Sequence, residues 1–263
     1  NKHDMAKWEN SLGTMQTWEK REWFSLYYPA LIEKEWLTAK SYIDNKTLFI
    51  SNKDILYQFL NEVHPNATDF GKEIIPESIA NFKVLSYQYE GYWTDIGNIY
   101  SFFEANIALT QDLPLFNLFD SSQTVYTRAR MLPPAKLSGT NVNKAIIAEG
   151  CIIHAKELTN SVVGIRERIG IETVIKNSYI MGCDYYENIE QINEKTSKSI
   201  PILGIGERCI IENAIIDKNC SIGNDVTIKG GAHLEKVDHP LYTIKDGIVV
   251  VKKGAVIPQG YTI

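Results

Sequence analysis

The spacing of apolar residues changes character along this chain. Over residues 51–63, SNKDILYQFLNEV, the positions Ile55, Leu56, Phe59, Leu60 and Val63 share one helical face, with Ser51 or Asn52 as the cap. Residues 82–89, FKVLSYQY, alternate as a strand does, with Phe82 out of phase. Residues 98–110 return to helical spacing, with Ile99, Phe102, Phe103 and Ile107 on one side. Residues 41–110 therefore read as mixed α/β. Upstream, residues 1–40 hold four of the five tryptophans, and Trp8, Leu12, Met15 and Trp18 fall at helical spacing, which reads as core contact. Pro114, Pro133, Pro134 and scattered Ser and Asp mark residues 111–140 as a linker.

Beyond the linker the period becomes six. Ile210, Ile216, Ile222 and Ile228 form one run, and Val163, Ile169, Ile175 and Met181 a second. Ile146, Ile152 and Leu158 make a third. Six is neither a helical nor a simple strand period. It is the repeat of a parallel β-helix, in which each flat face of a triangular coil takes one hexad. The apolar residue of each hexad is expected to point inward and to stack on its equivalent one coil away, ~4.8 Å along the axis. Residues 183–204, CDYYENIEQINEKTSKSIPILG, break the hexads and read as a loop extruded from the coil.

Charge and cysteine usage narrow the function classes. The net charge of −5 argues against a nucleic-acid partner, which needs a basic face. The chain has no apolar run long enough to suggest a membrane span. Cys151, Cys183, Cys209 and Cys220 lack CxxC spacing and read as reduced thiols. The chain opens on Asn1 without a charged-then-apolar leader, which reads as a fragment or a processed product.

Six longer strings carry a resemblance. They are DFGKEIIP (69–76), GYWTDIGN (91–98), YTRARMLPPAK (126–136), SYIMGCDYYE (178–187), AIIDKNCSIG (214–223) and IVVVKKGAVIPQG (248–260). In this order and spacing, over about residues 48–263, they resemble glucose-1-phosphate adenylyltransferase. MGCDYYE resembles the plant and cyanobacterial branch. The resemblance implies an α/β nucleotidyltransferase remnant over residues 1–110, with 1–44 matching nothing in the family. A linker over 111–140 and a left-handed parallel β-helix of hexapeptide repeats over 141–263 follow it. It also implies ADP-glucose and pyrophosphate made from ATP and glucose 1-phosphate for starch or glycogen synthesis. Mg²⁺, phosphorylated effectors and a homo- or heterotetramer come with the family, in a plastid or, for a bacterial origin, the cytoplasm.

The reaction joins two polyanions, so charge must be neutralised at the transferring phosphoryl group. The family places a metal carboxylate at the position of Asp95, for which the residues alone offer a helix cap. The resemblance puts Trp93 beside the sugar and Asp69 and Phe70 on the glucose-phosphate pocket; by themselves they read as core aromatics and a turn residue. Anionic effectors need convergent cations, and the family's match Arg130, Lys218 and Lys253. The family's GGxGTRL loop, second metal carboxylate and EKP lysine have no counterpart in this sequence, so the chain is expected to have little activity alone. Two alternatives stand beside this reading. One is a non-catalytic regulatory or scaffold subunit. The other is a hexapeptide acyltransferase, needing a His base; His154, His233 and His239 read instead as solvent-facing.

Overall fold

The computed structural model describes residues 37–42, 46–50, 53–86, 91–121 and 125–263. The tryptophan-rich helix expected near Trp8–Trp18 and the cap at Ser51 or Asn52 lie outside the described residues. The chain divides into two compact units, residues 1–93 with 125–128, and residues 94–124 with 129–263.

In the first unit, strands β1 (Leu37–Tyr42) and β2 (Lys46–Ile50) pair antiparallel, and β1 pairs in parallel with β3 (Val84–Ser86). Between them run helix α1 (Lys53–Gln58), which widens into a π-type turn over Phe59–Val63, and helix α2 (Ile75–Asn81), entered through a π-type turn over Phe70–Ile74. Phe59 and Ile74 are buried, and Phe82 packs edge-on to Phe59 at 5.1 Å. Pro76 sits in the first turn of α2, where its missing N–H costs nothing.

In the second unit, helix α3 (Ile99–Ala108) buries Phe103 and Ile107 against Ile215 and Ile248. Ile99 and Phe102 complete that apolar face. The sequence reading gives this helix to the first domain; here it packs on the coil. Thr110 Oγ1 then donates to Asn160 Oδ1 (2.7 Å), and Lys144 pairs with Asp112 at 3.2 Å. These contacts tie the start of the linker to the edge of the coil.

The coil is built from short strands β4 (Lys136–Leu137), β6 (Ile152–Ile153), β8 (Arg168–Ile169), β10 (Gly204–Ile205), β12 (Ser221–Ile222) and β17 (Val256–Ile257). These form one parallel sheet in the order β17-β12-β10-β8-β6-β4. The long strands β5 (Asn141–Ile147), β7 (Glu157–Val163), β9 (Val174–Ile180) and β11 (Ile210–Ile216) stack in parallel beside it. β11 bends midway. Its first half pairs with β13 (Thr227–Lys229) and its second half with β16 (Ile248–Val251). A hairpin closes the end, with β14 (Val237–Asp238) pairing β15 (Tyr242–Lys245), which in turn pairs β16.

The bend explains where the six-residue period fails. Lys144, Asn160, Asn177 and Asn213 occupy one corner with φ of 43–50°, left-handed backbone that Asn tolerates best after Gly. This corner is tighter than a hexad boundary. Asn160 and Asn177 meet at a step of 17 residues, where three full hexads would need about 18. Leu158, Val163, Ile169, Ile175, Ile216, Ile222 and Ile228 do point inward and are at most 2% exposed. Ile146, Ile152, Met181 and Ile210 do not; Ile153, Ile180 and Ile211 take the inward places instead. Met181 packs with Tyr179 on the outer cluster under α3.

The corner asparagines form an amide ladder. Asn160 Nδ2 donates to Asn177 Oδ1 (2.8 Å), Asn177 Nδ2 to Asn213 Oδ1 (2.7 Å), and Asn213 Nδ2 to the Gly230 carbonyl (3.1 Å). The extruded segment is an arm rather than an irregular loop. It holds helix α4 (Ile189–Ser197), opened by a reciprocal capping box between Asn188 and Gln191. A partly buried ion pair, Glu187 to Lys195 at 2.5 Å, braces the arm, and Glu187 also accepts from the Leu203 N–H (2.8 Å). All four cysteines are unbridged and buried.

Candidate functional site

Asp95 belongs to the second unit, at the approach to α3. Asn98, not Asp95, caps that helix: its Oδ1 accepts from the Ser101 N–H at 2.8 Å. Asp95 closes a tighter turn, its Oδ1 accepting from the Gly97 N–H at 3.0 Å. A Cβ at Gly97 would come within 3.2 Å of that oxygen, so Gly gives the turn its room. The Asp95 side chain is exposed. Among the described residues no group of three or more His, Cys, Asp or Glu side chains converges on a common point.

Asp69, Phe70 and Trp93 lie in the first unit and are half-buried. Asp69 caps the π-type turn, with Oδ1 accepting from the Lys72 N–H at 2.9 Å. That backbone donor, with the nearby Lys72 ammonium, holds the carboxyl below its ordinary range. Glu73 reaches back to accept from the Asp69 N–H (2.8 Å) and the Thr68 N–H (3.1 Å). The bland expectation of a turn residue is therefore realised at Asp69.

The coil assembles the best-defined charged cluster. One of its edges is a stack of tight turns linked by backbone hydrogen bonds from coil to coil. Gly150 donates to Pro133, Arg166 to Glu149, Cys183 to Ile165, Asn219 to Gly182, and Gly254 to Lys218. Ile216 faces Val251 across β11 and β16, so Lys218 and Lys253 fall at the same place in successive coils. Asp184 stands beside them at the root of the arm. Its Oδ1 accepts from Lys218 Nζ at 2.7 Å, and its Oδ2 from Asn219 Nδ2 at 3.0 Å. Those hydrogen bonds, with the charges of Lys218 and Lys253, hold the Asp184 carboxyl below its usual range. Lys218 is half-buried and Lys253 exposed.

Two of the three expected effector cations thus share one edge and one counter-ion. Arg130 is exposed and lies just before Pro133, where that edge begins. The sequence reading quotes Asp184 within MGCDYYE but does not single it out, because its partner Lys218 is 34 residues away. His233 is exposed as expected. His239 is half-buried and stacks on Tyr242 at 4.6 Å, and His154 is half-buried in a cleft.

Residues 130–262 match the family model described as the GLGC left-handed parallel β-helix domain. The chain belongs to this family. Residues 29–112 match the nucleotidyl transferase model. Residues 29–44, which resemble nothing by inspection, fall inside that second match. A GLGC-type coil behind a nucleotidyl transferase segment is the architecture of a sugar-phosphate nucleotidyltransferase. The parallel coil is accordingly the left-handed one. Among the described residues, no helix is long and apolar enough to cross a membrane.

Proposed function

We propose that this GLGC-family chain carries the sugar-side and regulatory parts of a glucose-1-phosphate adenylyltransferase. That enzyme forms ADP-glucose and pyrophosphate from ATP and glucose 1-phosphate. The observation that carries the reading is the edge where Lys218 and Lys253 share Asp184. Two cations on successive coils with one carboxylate between them leave net positive charge for an anion to neutralise. Phosphorylated effectors such as 3-phosphoglycerate, or inorganic phosphate, are the anions proposed there, with Arg130 as a third contact.

Asp95 is the proposed catalytic carboxylate. Its turn engages Oδ1 once, and the side chain is exposed, which suits one ligand to a Mg²⁺ that arrives on substrate phosphates. When bound, that ion neutralises charge on the transferring phosphoryl group. In this reading Trp93 flanks the glucose ring, and Asp69 and Phe70 line its phosphate pocket. The nucleotide loop and the second carboxylate come from elsewhere, so the isolated chain turns over slowly or not at all. A homo- or heterotetramer, in a plastid or in the cytoplasm, supplies the setting.

The test is ADP-glucose formation from ATP, Mg²⁺ and glucose 1-phosphate, by the chain alone and in a complete catalytic context. Asp95→Asn should abolish synthesis in the complete context; unchanged turnover there refutes the metal assignment. Lys253→Ala should raise the half-saturating effector concentration by about tenfold, as expected for a lost charge-assisted contact, with a smaller effect on basal rate. A lost basal rate with a normal effector response would refute the regulatory assignment.

A further inference from the structure

The sheet of short strands carries a cleft of about 480 Å³ that is separate from the Lys218–Lys253 edge. Its floor is the outward side of β6, β8, β10 and β12, and its wall is the arm from Thr196 to Leu203. Ile153 and Ile169 point into the core, so their neighbours Ile152, His154 and Arg168 project outward. Ile152 pairs with Arg168 across β6 and β8, which puts His154 and Arg168 on adjacent coils of one face.

Both side chains line the cleft, and neither the Arg168 nor the His154 side chain has a hydrogen-bond or ionic partner among the described residues. Several other cations on the coil are paired: Arg208 with Asp225 at 2.6 Å, Lys176 with Glu157 at 3.2 Å, Lys156 with Glu172 at 3.4 Å. Glu207 is the one carboxylate lining the cleft, and Arg208 already holds it at 3.0 Å.

Glycines let the coils of the floor stack closely. Gly170, Gly206 and Gly223 follow one another there on successive coils, and a Cβ at Gly170 or at Gly206 would lie 2.6 Å from the next glycine's backbone. The lining also includes Ile171, Ile200 and Ile202, beside the polar Thr196, Ser199, Asn224 and Gln259. A second hollow of about 220 Å³ runs on from it, sharing Ile152, Arg168 and Leu203. Arg168 sits where the two meet. Arg166, which also lines the second hollow, is engaged with the Cys183 carbonyl at 3.4 Å and lies over the Tyr186 ring.

We propose that this cleft binds a small phosphate monoester with a compact apolar body. The phosphate lies on Arg168 and His154, and the body lies against the arm's isoleucines. A planar guanidinium matches two phosphate oxygens at once, and the imidazole adds a further donor. Ile200 and Ile202 of the arm give the body an apolar surface within a cleft of mixed lining.

Phenyl phosphate is the probe, titrated calorimetrically into the full chain. Saturable binding is expected below about 10 mM. Arg168→Gln should weaken it by about tenfold or more, the scale of a lost charge-assisted pair, and His154→Gln by less. Both residues are surface positions on a rigid coil, so the variants keep the wild-type circular dichroism spectrum. Lys218→Ala should keep the phenyl phosphate binding that Arg168→Gln weakens, which separates this cleft from the effector edge. The proposal is overturned if phenyl phosphate fails to saturate, or if Arg168→Gln binds it as wild type does. Loss of binding in Lys218→Ala, or equal binding of phenol, overturns it too, by assigning the heat to the edge or to a merely apolar slot.

Discussion

Glu167 is 3% exposed inside the coil, and its nearest polar side-chain group is the Cys183 thiol, 3.6 Å from Oε2. Burial pushes its carboxyl up from 4.5 to about 8. The unfolded chain releases that proton near 4.5, whereas the folded chain keeps it to about 8. Between these values the folded state binds more protons than the unfolded state, so stability falls as pH rises and levels off beyond the upper value. At ~1.4 kcal/mol for each pH unit, this one group removes ~3 kcal/mol by pH 7 and ~5 kcal/mol once it is fully ionised. Glu167→Gln keeps the shape and a polar partner for Cys183 but carries no proton to lose. Urea midpoints measured at pH 5.5, 7 and 9 should fall with pH in the wild type and fall less steeply in Glu167→Gln. The variant should be the more stable protein at pH 9. Most other titrating groups are common to both proteins and cancel; the Cys151, Cys183 and Cys220 thiols feel the Glu167 charge, but burial, the larger cause, keeps them up in both proteins. Parallel pH profiles, or a variant that is weaker at every pH, would refute the reasoning.

Asn177→Ala removes two ladder hydrogen bonds and puts a Cβ-bearing residue without a compensating side chain at φ 43°, so thermal denaturation should show a loss of ~3 kcal/mol. Asn177→Gly keeps the left-handed backbone and should cost less; equal losses would mean the backbone conformation is not at issue. Asp184→Asn removes the carboxylate that holds Lys218, so the chain should bind inorganic phosphate more tightly, and weaker binding would show Asp184 positions Lys218 rather than competing for it.

The coil was legible because inward stacking selects apolar residues at nearly regular steps. Val163, Ile169 and Ile175 show it, as do Ile216, Ile222 and Ile228, all buried as the period demands. The period misplaced Ile146, Ile152, Met181 and Ile210 because one corner is shorter than the hexad rule allows. The cue to that corner was in the sequence: Asn160 and Asn177 are 17 apart, and Asn177 and Asn213 are 36 apart across the arm. Helix α4 was equally readable from Asn188 and Gln191, a capping-box spacing inside a segment dismissed as polar loop. Site residues divide differently. Lys218, Lys253 and Asp95 sit in strings whose order carried the family resemblance. The engagement of Asp184 by Lys218, and the shared face of Arg168 and His154, depend on which residues stand over one another in successive coils. That register is set by the corner and by the arm, so it could not be counted from hexads alone.

The same register fixes the geometry of the edge proposed to bind effectors. Stacking places residues of successive coils ~4.8 Å apart, too close for like charges to sit without a counter-ion. Lys218 and Lys253 occupy such a pair of positions, and the carboxylate that answers them comes from the root of the arm, one coil further on. The Lys218–Asp184 pair is partly exposed, with side chains 32% and 43% accessible. A pair so open to water contributes at most about 1 kcal/mol. An incoming phosphate, carrying more charge than one carboxylate, can therefore displace or join Asp184 at little cost. Asp184 follows directly on Cys183, and Cys183 faces Glu167, so the edge adjoins the segment that begins the arm. The arm is in turn held to the coil by Glu187 and Lys195. The edge and the root of the arm thus share one stretch of chain, and contacts from both reach into the same coil.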